Sequence, residues 1–381
     1  MRILLIAGFA DSVLPFRGAL IRALVDSGCE VHVAAPGITT VPKIGKELSL
    51  PAGRLHDVPI ARAGTNPLSD ARTLLALYRL MRGMRPDAVL PYTIKPVIYG
   101  TLVAWLARVP RRFALVTGLG YAFTGEKKGL VKRIVHRLYA LSLARATKVF
   151  FQNPDDDQLF RQLGILPASV PSVVVNGSGV DVMAYAPAPL PSSQPCFLMI
   201  ARLLGDKGVR EFVNAARKVK QEHPQVRFML AGWIDENPDA INQVELDQWV
   251  ADGLIEFTGR LADVRPAIAA STVSVLPSYR EGTPRTVLEA MAMGRAVITT
   301  DAPGCRETVI DGENGYLIPV RSVDVLTEAM ARFVDEPELA ARMGARSRQL
   351  AVEKYDVNKV NAVMLREMGV SMAAQSGSAN G

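Results

Sequence analysis

Residues 273–300 constrain the fold of this chain more than any other stretch. Val273-Ser-Val-Leu-Pro277 has the apolar content of a buried strand, and Ala296-Val-Ile-Thr-Thr300 repeats it. Between them lie Glu281-Gly-Thr-Pro284, a helical run to Ala292 and a stop at Gly294. Strand, loop, helix, glycine stop and strand make a βαβ unit, which calls for a parallel sheet. The loop leaving the first strand lands at the carboxyl edge of that sheet, where open α/β sheets bind ligands. Glu281 lies on this loop and Glu289 inside the helix. Thr283 is expected at the N-cap and Pro284 at the first helical position. The two carboxylates would then stand roughly 10–12 Å apart if the segment were all helical. A general acid–base pair working on one bond between sugars needs about 5–9.5 Å. The wider spacing suits gripping two ends of an elongated ligand, with an anion between them at the amides beginning with Gly282. Taken alone, it also fits one surface glutamate and one glutamate capping a helix.

The same alternation runs through the rest of the sequence. Arg2–Ala7, Glu30–Ala35, Ala88–Leu90, Phe113–Thr117 and Lys148–Gln152 read as strands, with helices at 14–27 and 69–84 and an apolar helix after Gly100 that runs to Arg108. The pattern restarts at Cys196-Phe-Leu-Met-Ile200 after Pro187, Pro189, Pro191 and Pro195. Two doubly wound α/β domains are expected: 1–184, a proline-rich linker 185–195, and 196–354. A last helix within 355–371 and a small, polar tail 372–381, expected to be disordered, complete the chain. Gly118-Leu-Gly120 beside Tyr121 lacks the third glycine and downstream acid of a dinucleotide site, so it reads equally as a tight turn.

Composition narrows the function classes. With 6% aromatic residues and no nucleic-acid module, a base-stacking platform is not expected. Three cysteines, far apart, and four scattered histidines give no metal-ligand spacing and suit a reduced, cytoplasmic setting. The apolar run at the N-terminus reads as a buried strand, and no uninterrupted apolar stretch reaches about 20 residues. Net charge is +7, unevenly placed. Residues 1–150 hold 22 Lys and Arg against 8 Asp and Glu, a net of +14, which leaves −7 for the rest. Within 126–148, Lys127, Lys128, Lys132, Arg133 and Arg137 alternate with apolar residues at helical spacing. That pattern fits an ordinary amphipathic helix, or one facing anionic lipid headgroups.

The second half adds its own cations. Arg202 and Lys207, beside Gly208, fall on the loop expected after strand 196–200, again at a carboxyl edge. Arginine grips two oxygens at once and lysine supplies a point charge, a pairing suited to a diphosphate.

Together these residues resemble a known family. Arg202…Lys207-Gly208, Gly259-Arg260, Pro277-Ser-Tyr-Arg-Glu281-Gly-x-Pro284-x4-Glu289-Ala-Met-Ala-x-Gly294 and Gly312-x2-Gly315 look like retaining glycosyltransferase family 4. Thr93-Ile-Lys95-Pro96…Tyr99-Gly100 and Thr117-Gly-Leu-Gly-Tyr-x-Phe123 are similar to a bacterial subgroup. That subgroup acts on undecaprenyl-diphosphate-linked glycans in surface polysaccharide, O-antigen or glycoprotein assembly. The resemblance implies a GT-B fold, two doubly wound Rossmann-like domains facing a cleft, with the last helix crossing back to the first domain. It implies a UDP-sugar donor, N-acetylated as in GalNAc, and a polyprenyl-diphosphate-linked acceptor. Attachment is implied to be peripheral, on the inner face of the plasma membrane, without cofactor or metal. Arg202 and Lys207 would bind the donor diphosphate, Glu281 the transferred sugar and Glu289 the ribose. Gly282, Thr283 and Arg285 would assist through their amides, with Gly8 and Arg260 also on the donor. Thr93, Lys95, Gly118, Gly120 and Tyr121 are candidates for acceptor or donor contact. One departure stands out: many relatives carry a histidine on a first-domain loop, and Pro91-Tyr-Thr-Ile-Lys95 has none. A UDP-sugar epimerase or other GT-B enzyme on soluble nucleotide sugars, and an inactive membrane-associated scaffold, are the competing readings.

Overall fold

The computed structural model describes residues 1–61, 66–119, 129–191, 194–235 and 237–371. Gly120, Tyr121, Lys127, Lys128 and the tail 372–381 lie outside the described residues. The chain divides into two compact units, Met1–Ser178 together with Asn358 onward, and Gly179–Val357.

The first unit is built on β1 (Arg2–Ile6), β2 (Glu30–Ala35), β3 (Leu55–Asp57), β4 (Ala88–Pro91), β5 (Arg111–Val116), β6 (Lys148–Phe151) and β7 (Ser172–Val174). They form one sheet in the order β3-β2-β1-β4-β5-β6-β7, every pairing parallel. Helices α1 (Val13–Asp26), α2 (Pro42–Glu47), α3 (Pro67–Met84), α4 (Ile94–Leu106), α5 (Leu130–Leu143) and α6 (Pro154–Gln162) make the connections. The central strands are nearly all Val, Ile, Leu and Ala, as burial on both faces demands. One core packs under α1 and another under α3 and α4.

The second unit holds β8 (Cys196–Leu203), α7 (Val209–Glu222), β9 (Arg227–Ile234), α8 (Gln243–Ala251), β10 (Glu256–Gly259), α9 (Arg265–Ala269) and β11 (Val273–Leu276). Then come α10 (Arg285–Ala292), β12 (Ala296–Thr300), β13 (Gly315–Ile318), α11 (Val323–Asp335) and α12 (Glu338–Lys354). Its sheet order is β10-β9-β8-β11-β12-β13, again all parallel.

The boundaries differ from those read in the sequence. The stretch expected as a linker, 185–195, falls within the second unit, which starts at Gly179. The reason is Arg295, whose buried guanidinium donates to the carbonyls of Ala188 and Pro189, and also to those of Ile268, Ala269 and Met293. Arg348 binds the carbonyls of Val182 and Tyr185 in the same way. The last helix, α13 (Val357–Glu367), belongs with the first unit. Met364, Leu365, Met368 and Val370 join its core, and Lys148 Nζ meets Glu367 Oε2 at 2.7 Å.

Candidate active site

In the second unit β8 and β11 are neighbours, while the chain leaves them in opposite directions, to β9 and to β12. That divergence opens a crevice at their carboxyl ends. The loop after β8 makes a short turn, Gly205–Lys207, and Gly208 then takes φ +75° to start α7. A Cβ on Gly208 would lie 2.2 Å from the Pro277 carbonyl oxygen, so glycine alone lets the two loops touch. The contact is stitched by the Tyr279 amide donating to the Asp206 carbonyl at 2.8 Å, with the Ser278 hydroxyl donating to it at 3.2 Å. The register set this way brings Lys207 Nζ to 2.7 Å from Glu281 Oε1. Their side chains are only 13% and 18% exposed, which limits screening by salt. The Glu281 amide donates to the Pro303 carbonyl at 2.9 Å, and Gly304 packs directly on the Glu281 backbone.

Arg202 is the last residue but one of β8, not a loop residue as expected, because β8 continues pairing with β9 through Leu203. Its Nη1 donates to Asp235 Oδ2 at 3.0 Å. Arg202 pairs in register with Trp233, and the Arg260 guanidinium, just past β10, lies 4.8 Å from the Trp233 ring centre. The helix start also differs by one residue. Pro284, not Thr283, is the N-cap of α10, and Arg285 is the first helical residue. The Val287 and Leu288 amides both turn back to the Pro284 carbonyl, which fixes that start. Arg285 Nε donates to Glu289 Oε1 at 2.7 Å, one turn on, and the Glu289 side chain is 6% exposed. Burial first, then the Glu289 carboxylate, pushes the neighbouring Tyr185 hydroxyl up to about 12. Arg202, Lys207, Glu281, Gly282, Thr283, Arg285 and Glu289 therefore share one switch point, with Arg260 two strands away on the same edge.

Residues with no motif to mark them support this site. Asp239 Oδ2 accepts from the Asp206 amide at 2.8 Å, and Tyr279 donates its hydroxyl to Glu211 at 2.6 Å. Burial chiefly raises the Asp206 carboxyl, with Glu281 and Asp239 adding to the rise and Lys207 opposing it. Asp235 and Asp239 sit in Asp235-Glu-Asn-Pro-Asp239, a polar run at a carboxyl edge. Its composition was the available signal.

The first unit has its own switch point, between β1 and β4. Gly8 follows β1 and Thr93 follows β4, and a Cβ on Gly8 would be 2.9 Å from Thr93 Oγ1. Thr93 holds φ +69°, a strained conformation for a β-branched residue. Gly118, after β5, has φ +121°. Lys95 is engaged with Asp70 Oδ1 at 3.0 Å on α3. Lys132, Arg133 and Arg137 lie on α5, Arg133 and Arg137 being exposed. Among the described residues no helix is long and apolar enough to cross a membrane.

Two parallel-sheet α/β units, the second with Arg202, Lys207 and Arg285 beside Glu281 and Glu289 at its switch point, are the architecture of glycosyltransferases of the GT-B class. The chain belongs to the glycosyltransferases. Residues 194–336 match the family model of glycosyl transferases group 1, and residues 16–177 match the glycosyl transferase 4-like domain. The chain is 29% identical over 373 residues to the N,N'-diacetylbacillosaminyl-diphospho-undecaprenol alpha-1,3-N-acetylgalactosaminyltransferase of Campylobacter jejuni, covering 94% of this chain and 96% of that one. It is 27% identical over 321 residues to the UDP-Gal:alpha-D-GlcNAc-diphosphoundecaprenol alpha-1,3-galactosyltransferase of Escherichia coli, covering 80% and 81%. In fold it is similar to sucrose-phosphate synthase from Thermosynechococcus elongatus, with a TM-score of 0.77 and 17% identity over 96% of this chain and 98% of that one. It is similar also to Anabaena HepE in complex with UDP, with a TM-score of 0.75 and 16% identity over 97% and 100%.

Proposed function

We propose that this enzyme transfers a hexose, N-acetylated as in GalNAc, from a UDP-sugar to a polyprenyl-diphosphate-linked sugar, with retention of anomeric configuration. The observation that carries the reading is the Lys207–Glu281 contact at the switch point of the second unit. An ammonium has three donors, so Lys207 can keep Glu281 with one and offer others to a phosphate oxygen. It thereby couples a phosphate-side cation to a sugar-side carboxylate. Arg202, with one terminal nitrogen on Asp235, has further N–H groups for the diphosphate. As the bond from the sugar's C1 to the diphosphate oxygen breaks, these two cations stabilise the charge that develops on the leaving group. The acceptor hydroxyl attacks C1 from the same face, and its proton passes to the departing phosphate. Glu281 orients the sugar through its hydroxyls and Glu289 holds the ribose, so neither acts as a proton-transfer base. No resident metal is invoked, because Arg202 and Lys207 supply the positive charge. Two relatives that act on diphosphoundecaprenol-linked sugars, similar over 94% and 80% of the chain, support the acceptor class. The basic first half supports a peripheral site on the inner membrane face.

The test incubates the protein with a panel of UDP-hexoses and a lipid-linked acceptor, with and without EDTA. UDP release together with label in the organic phase, unaltered by EDTA, is the expected result, and NMR of the product gives its anomeric form. An epimerised sugar nucleotide formed without acceptor, or no turnover with any donor, would overturn the reading.

A further inference from the structure

Helix α4 lies between α3 and α5 on one face of the first unit's sheet. The outward side of these three helices is unusual for a water-facing surface. Ala71, Leu74, Leu75 and Tyr78 of α3, Leu102 and Trp105 of α4 and Leu141 of α5 line a groove of about 530 Å³ whose walls are almost wholly apolar. Leu106 beside it is 58% exposed, Leu141 51%, Leu75 48% and Trp105 42%. Contiguous exposed apolar patches of this kind mark interaction sites.

The charge around the groove says what covers it. Between residues 66 and 145 the described residues include twelve Lys and Arg against two Asp. Of the two, Asp70 is held by Lys95, and Asp87 accepts from the Arg2 amide at the start of β4. Arg72, Arg79 and Arg82 lie on α3, Arg108 just beyond α4, and Arg133, Arg137 and Arg145 on or just after α5. None of these seven is in an ion pair with a carboxylate among the described residues. The Arg145 guanidinium instead lies 4.4 Å from the ring centre of Trp105. An apolar strip with tryptophan and tyrosine, rimmed by arginine and, among the described residues of 66–145, lacking free acids, matches the cross-section of an anionic lipid interface. A protein partner would more often offer mixed charge.

We propose that the α3–α4–α5 face is the surface by which the first unit seats on an anionic bilayer, with Trp105, Leu106, Leu75 and Leu141 entering the headgroup boundary. This rests on the lipid-linked acceptor reading and names the face involved. It also revises the role expected of α5. Ile134 and Leu141 share its exposed side with Arg133 and Arg137, so charge and apolar insertion act together.

The test compares the full chain with Leu106→Glu and Leu141→Glu in vesicle sedimentation, using phosphatidylcholine vesicles with and without about 30% phosphatidylglycerol. Both side chains are solvent-exposed, so the folded state is retained. Each variant should lose on the order of tenfold in partitioning to the anionic vesicles. Brominated acyl chains should quench the parent's fluorescence, and Trp105→Phe should remove most of that quenching. Transfer to a water-soluble, chain-shortened acceptor should stay within about twofold of the parent, which separates loss of docking from loss of the enzymatic reading. Unchanged sedimentation of both variants would overturn the proposal. So would sensitivity to Arg133→Glu alone, or a solution dimer that Leu106→Glu dissociates.

Discussion

Lys207 and Glu281 are 74 positions apart, yet their side chains meet at 2.7 Å, each mostly shielded from solvent. Removing Lys207 takes a shielded counter-charge away from Glu281, which costs more than losing a surface pair. Lys207→Met should therefore weaken UDP binding and lower kcat by about 10²–10³, the scale of removing one electrostatic stabiliser of a developing anion. Glu281→Gln should lower kcat comparably while leaving the Kd for UDP within about threefold, because its carboxylate is assigned to the sugar. Titration with UDP and steady-state kinetics decide the matter, and a tenfold loss of UDP affinity in Glu281→Gln would remove that assignment. Asp206 beside them offers a test by pH. Its folded pKa is raised above the ordinary 3.8, chiefly by burial. The folded state then holds the proton more tightly than the unfolded state, so stability falls as pH rises from 3.8 through the raised value. Asp206→Asn should raise Tm at neutral pH and lose that advantage below about 3.8, a trend that thermal melts across pH would show.

The elements that carry these residues were legible in the sequence to different depths. Strands β1, β4 and β8 announce themselves as apolar runs, and β2, β11 and β12 as apolar stretches interrupted by His32, Ser274 and the Thr299-Thr300 pair, since both faces are buried. Helix α10 was legible too, but its first residue was not. Thr283 has the chemistry of a cap, and the backbone instead pivots on Pro284. The proline-rich stretch after Ala186 has a linker's composition, while Arg295, over a hundred residues away, fastens it to the second unit. The same blindness applies to Asp235 and Asp239, because pairing across a sheet edge leaves no local periodicity. Gly208 is the opposite case, a residue whose type discloses its backbone. Gly208→Ala adds a Cβ 2.2 Å from the Pro277 carbonyl oxygen at φ +75°. It should cost about 1–3 kcal/mol of stability in denaturant titration. It should also lower transfer activity more than its stability loss accounts for, since it separates the loops carrying Lys207 and Glu281. A variant with parental activity and stability would show that the two loops do not need this contact.

At the scale of the whole molecule, the first unit is not finished until the end of the chain. Its sheet is complete at β7, but Met364, Leu365, Met368 and Val370 of the C-terminal segment are buried in its core. Lys148 pairs with Glu367, and Arg111 donates to the Met368 carbonyl at 3.3 Å. Burying four such side chains contributes on the order of 6–12 kcal/mol. That is comparable with the whole stability of a typical domain, about 5–15 kcal/mol. The second unit, by contrast, is contiguous from Gly179 to Val357, and the Val180 carbonyl accepts from the Val357 amide at 3.0 Å. Ending the chain after Val357 therefore removes nothing from the second unit's own core, while it strips the first unit of one wall. The shortened protein should show two transitions in calorimetry, with the second unit melting near its parental temperature and the first well below it. Transfer should be lost even though the second unit, with Arg202, Lys207 and Glu281, still binds UDP. A single transition at the parental temperature would mean that β1–β7 and their helices are stable without α13, and that its burial contributes far less than its area implies.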